Sequence, residues 1–113
     1  MSQLSDILDQ LIDTRDRLFS LVNDDTKPND VRVAAIGEHD EVAMRIRTLL
    51  ARDLTQQIGG LEAKAAAIKA AHNELKQVLA TAAAATAVVK SVTKYLGFVD
   101  KAIDAVKPLL AFL

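Results

Sequence analysis

The feature that most constrains this chain is a line of apolar side chains recurring every three and four residues over most of its length. No stretch alternates apolar and polar residues as a half-buried strand does. From Leu61 the line is strict: Leu61, Ala65, Ile68, His72, Leu75, Leu79 and Ala82 step by four and three, a heptad pattern. It resumes as Ala85, Val89, Val92, Leu96, Val99, Ile103, Val106, Leu110 and Leu113. The step from Ala82 to Ala85 repeats a three where a four is due, a phase slip that overwinds a coiled coil. The pattern predicts an all-α fold: a helical hairpin or three-to-four-helix bundle with one long coiled-coil-like helix over about 61–96. All 113 residues are expected to form a single helical domain.

The remaining segments follow the same period. A first helix is predicted over 3–23, with Leu4, Ile7, Leu8, Leu11, Ile12, Leu18, Phe19 and Val22 inward, Ser2 or Ser5 as cap, and Asp6 and Asp9 in its early turns. Residues 24–29, with Pro28 among Asp, Asn and Thr, read as a loop. Asn29 or Asp30 then caps a second helix over about 30–57. Its apolar side is Val31, Ala35, Ile36, Val42, Ala43, Ile46, Leu49, Leu50 and Leu54, and Gly37 interrupts it at about 1 kcal/mol relative to alanine. Gly59 and Gly60 predict a turn. Leu50 and Leu61 nonetheless differ in helical phase by only about 20°, so a continuous or kinked rod is the alternative. Gly97 followed by Phe98 resembles a helix C-cap, giving a bend and a short last helix over 98–112 that is strained at Pro108.

Charge is unevenly distributed. Residues 1–62 carry 12 acidic and seven basic side chains; residues 63–113 carry three and seven. The halves therefore stand at −5 and +4, and attraction between them is expected within a chain or between chains. The basic half has spaced lysines and one tyrosine, not the clustered bases and stacking aromatics of a nucleic-acid surface, so no nucleic-acid partner is expected. The longest uncharged run, 77–89, has 13 residues, short of the ~20 that span a bilayer. The polar, acidic start is unlike a signal peptide. With no cysteine in the chain, a reducing, cytoplasmic location is the expectation.

Candidates for chemistry are few. His39 lies in Gly-Glu-His-Asp-Glu, but neighbours on a helix point apart and no second histidine stands four residues away, so no metal is expected. His72 takes a core position in the heptad and is read as a polar residue that sets register. Asp6, Asp9, Asp13 and Asp16 are read as a solvated face. No nucleophile elbow, phosphate loop or dinucleotide fingerprint is present, and no catalytic residue or cofactor is expected.

The line from 61 to 96 would be roughly 54 Å long against roughly 28 Å for the first helix, which leaves apolar surface uncovered within one chain. The expected function is therefore a non-enzymatic scaffold, adaptor or regulator, homo-oligomeric or docked on another protein's helices. Its expected interface is Leu61, Ile68, His72, Leu75, Leu79, Val89, Val92, Leu96, Val99, Ile103, Val106, Leu110 and Leu113. The alternative is a membrane-active or membrane-docking protein that lays the amphipathic segment 88–113 on a lipid surface.

Overall fold

The computed structural model describes residues 3–108, which form four helices: α1 Gln3–Val22, α2 Asn29–Leu50, α3 Leu61–Thr81 and α4 Ala85–Asp104. Along α1 the inward positions are Leu4, Ile7, Leu11, Thr14, Leu18 and Leu21. Thr14 sits in this row because its hydroxyl donates to the Gln10 carbonyl at 2.8 Å and needs no other partner. Arg32 ties the start of α2 to the end of α1, its Nε donating to the Val22 carbonyl at 2.9 Å.

Both long connections are stopped by the same local device. In the first, the Thr26 N–H and hydroxyl donate to Asp24 Oδ1 at 2.9 and 2.6 Å. In the second, those of Thr55 donate to Asp53 Oδ1 at 3.0 and 2.6 Å. Asp-x-Thr thus supplies polar partners that compete with helical ones. This is why α2 ends at Leu50 rather than at the expected 57. Pro28, not Asn29 or Asp30, occupies the N-cap of α2, while Asp30 accepts the Val31 N–H at 2.9 Å inside the first turn. Gly60 has φ +82°, which favours glycine, and it turns the chain into α3, so the continuous-rod alternative does not hold.

The long helix over 61–96 is corrected. It is two helices, broken at residues 82–84, where the phase slip falls. Ala84 is extended, and α4 returns antiparallel along α3. The expected bend at Gly97 and separate helix over 98–112 are corrected too, since α4 runs unbroken through Gly97 to Asp104. Pro108 follows the helix end and pairs as an isolated antiparallel bridge with Arg52, so no helical hydrogen bond is lost to it. Residues 109–112 of the expected helix lie outside the described residues.

The helices form two antiparallel hairpins, α1–α2 and α3–α4, stacked so that α1 lies on α3 and α2 on α4. The connection over 51–60 crosses the diagonal between α2 and α3, and the stacked pairs run parallel: Asp13 meets His72, and Arg45 meets Asp100. All four helices share one core, in which Tyr95 is the largest fully buried side chain. Leu75, buried in that core, should cost about 2–5 kcal/mol when changed to alanine. Met44→Gln, on the outside of α2, should change stability by less than about 0.5 kcal/mol. Urea unfolding of the two variants measures this; equal losses would contradict the assigned faces.

Candidate functional site

The residues expected to form an interface are mostly interior. Leu61, Ile68, His72, Leu75, Leu79, Val92, Leu96, Val99, Ile103 and Val106 are all buried against the chain's own helices. Val89 faces outward, 41% exposed, and its neighbour Val88 takes the core place. Leu110 and Leu113 lie outside the described residues. The correction has one cause. Breaking the long line at 82–84 brings α4 back beside α3, and α1 and α2 then cover both halves of it. What was expected to bind a partner is the protein's own core.

His72 joins a polar cluster between α1, α3 and α4. Its Nε2 lies 3.1 Å from Asp13 Oδ2, which also accepts from Arg17 Nε at 2.8 Å. The Tyr95 ring packs against the imidazole with centroids 5.7 Å apart. Burial lowers the His72 pKa and outweighs the opposing pull of Asp13, helped by the positive charges of Lys76 and Arg17. For Asp13, burial is the largest single influence and raises the pKa, but Arg17 and His72 together bring it below the usual carboxylate range. Burial pushes the Tyr95 phenol well up. Its hydroxyl stands beside Thr14 without a hydrogen bond of acceptable geometry. His72 thus takes the core place expected for it and makes one polar contact between α1 and α3.

A second cross-hairpin contact lies between α2 and α4. Arg45 holds Asp100 through Nε and Nη2 at 3.0 and 3.1 Å and Glu41 through Nη1 at 2.7 Å. Beside it, an open cleft of about 360 Å³ is lined by Glu38, Thr93 and Gly97 among others. Burial, then the charge of Glu41, raises the Glu38 pKa against the pull of Arg45. Among the described residues, no three His, Asp or Glu side chains are grouped to hold a metal ion. Among the described residues, the Arg45–Asp100 ion pair and the His72–Asp13 contact are the only contacts between titratable side chains that join the hairpins. The expected attraction of acidic for basic half is thus not made through direct lysine pairs, and both charge sets stay on the outside.

One surface was missed by following a single apolar line. Phe19, Val33, Ile36, Met44 and Leu50 are each about half exposed, and with Val89 they are the large exposed apolar side chains among the described residues. Four of these six lie on α2. Phe19, Ile36 and Leu50 are expected inward, yet they are 58, 49 and 53% exposed, and the Phe19 ring lies tilted at 6.1 Å from that of His39 on α2. The signal was present in the sequence. Val33 and Met44 are eleven residues apart, on one face within about 20°, and Val33 lies opposite the buried Val42. A helix apolar on both sides has more to cover than one core.

The His72 geometry sets a pH dependence. A histidine with a lowered pKa binds its proton more weakly when folded than when unfolded, so its contribution to stability is complete above about pH 6.5 and declines below it. Asp13, also lowered, adds a further loss below about pH 4. The melting temperature should fall between pH 7 and pH 5, and His72→Gln should flatten that step while leaving the loss at lower pH. A melting temperature that rises on acidification through this range would contradict the assignment.

Neither a family model, nor a curated protein, nor a solved structure matches the chain.

Proposed function

We propose that the protein is a non-enzymatic helical interaction module, a scaffold, adaptor or regulator, whose binding surface is the outer face of α2. Another helix is its occupant, from a second copy of the chain or from another protein. The observation that carries this reading is the concentration of exposed apolar side chains there: Val33, Ile36, Met44 and Leu50 on α2, with Phe19 at the flank. Contiguous apolar surface is scarce on proteins that act alone and marks a site of association. A helix lying along another by positions three and four residues apart is the recognition mode that such a face suits.

The heptad stripe, which the sequence suggested for this role, serves the core instead. A lipid-docking role for segment 88–113 has less in its favour. Val88, Val92, Tyr95, Leu96, Val99, Ala102 and Ile103 bury the apolar side of α4 inside the bundle, and no helix among the described residues is long and apolar enough to cross a membrane.

A titration of the isotopically labelled protein with a panel of amphipathic helical peptides, and separately with anionic vesicles, tests the reading by NMR. Peptides should shift amide signals of α2 residues 33–50 and of Phe19, while vesicles leave the spectrum unchanged. Shifts confined to α4 on adding vesicles, or no response to any peptide from a chain that also stays monomeric at millimolar concentration, would overturn it.

A further inference from the structure

Along the outside of α2, Val33, Ile36, Asp40, Ala43, Arg47 and Leu50 recur at alternating steps of three and four. This is a second heptad track, with Gly37 and Met44 beside it. All of these residues are exposed except Ala43, which is half-buried. The two charges occupy the same heptad position one repeat apart, about 10 Å along the axis, too far to pair with each other. Among the described residues the Arg47 side chain has no hydrogen bond or ion pair, and Asp40 has only His39 Nδ1 at 3.5 Å.

We propose that α2 pairs with α2 of a second copy, antiparallel across a two-fold axis between residues 43 and 44, so that Asp40 of each chain meets the partner's Arg47. This rests on the outer face of α2 being an interaction surface and adds what occupies it. A two-fold axis there matches each position before it with the one equally far beyond it. Asp40 falls opposite the partner's Arg47 twice over, and Met44 lies next to the partner's Ala43. The charge pattern also fixes direction: a parallel pair in register would set Asp40 against Asp40 and Arg47 against Arg47, whereas the antiparallel pair sets unlike charges together.

The size of the surface sets the strength. With the axis between 43 and 44, residues 37–50 of α2 lie along the partner's α2, and a strip about 21 Å long and about 10 Å wide offers about a quarter of the ~800 Å² per partner of a standard interface. Phe19 adds to one edge. The dimer is therefore weak and depends on concentration.

Sedimentation equilibrium from micromolar to millimolar protein tests the pairing. The mass should rise from one chain toward two and stop there. Asp40→Arg and Arg47→Asp should each weaken self-association at least about tenfold, since each sets like charges together. The double variant should regain it, and an equimolar mixture of the two single variants should associate more tightly than either alone. Melting in dilute solution should show each variant folded. Wild-type protein that stays monomeric at millimolar concentration, a mass that climbs past two chains, or a double variant as weak as the singles would overturn the proposal. If the wild type stays monomeric while peptides still shift the α2 signals, the self-pairing fails and the interaction surface stands. If α2 responds to neither, both fail.

Discussion

Residues 61–106 carry one apolar stripe that water must not reach, and every other part of the architecture answers to that requirement. Run straight through α3 and α4, the stripe would be about 65 Å long, while α1 and α2 are each about 30 Å. No short helix covers so long a line. The chain breaks at 82–84 instead, among alanines that favour helix more than any other residue. Intrinsic preference therefore opposes the break. What favours it is the burial of Val88, Val92, Tyr95, Leu96, Val99 and Ile103 once α4 folds back. At ~1.5–3 kcal/mol for each large apolar side chain, that burial exceeds the few backbone hydrogen bonds given up, each of which contributes ~1 kcal/mol net.

Once the fold-back is made, the rest follows. Two hairpins of nearly equal length stack with α1 on α3 and α2 on α4, and the connection over 51–60 crosses between them. Apolar packing between parallel neighbours leaves their sliding weakly opposed. The contacts His72–Asp13 and Arg45–Asp100 mark one register on each side of the stack. Because the stripe is consumed inside, the association proposed above has to use another surface. Most of the uncovered large apolar residues lie on α2, whose sequence is apolar on opposite faces.

Helical class and the loops around Pro28 and Gly60 were legible because period and backbone-restricting residues act locally. The polar core place of His72 was legible for the same reason. The break at 82–84 was visible only as a slip in phase. Alanine carries no turn signal, and whether a slip overwinds a coiled coil or ends a helix is decided by what lies available to cover each half. The end of α2 was missed because Asp53-Leu54-Thr55 was read as more of the helix, although Asp24-Asp25-Thr26 had already marked a loop by the same chemistry. Gly97 misled in the opposite way, since a glycine that costs about 1 kcal/mol in a helix is tolerated where tertiary burial on either side is strong. The outer face of α2 was readable from Val33 and Met44 but hidden by the search for one stripe where the helix has two.

The central claim is that α4 folds back on α3, and a distance measures it most directly. The chain has no cysteine, so cysteines placed at the exposed positions Glu62 and Lys101 would carry the only two spin labels. In the hairpin these positions lie near the same end of neighbouring helices, and with axes 8–10 Å apart the labels should be separated by less than about 30 Å in a pulsed dipolar experiment. A single helix through 82–84 would hold them about 58 Å apart. A distribution centred at the shorter distance is the predicted result, and one centred near the longer would contradict the account.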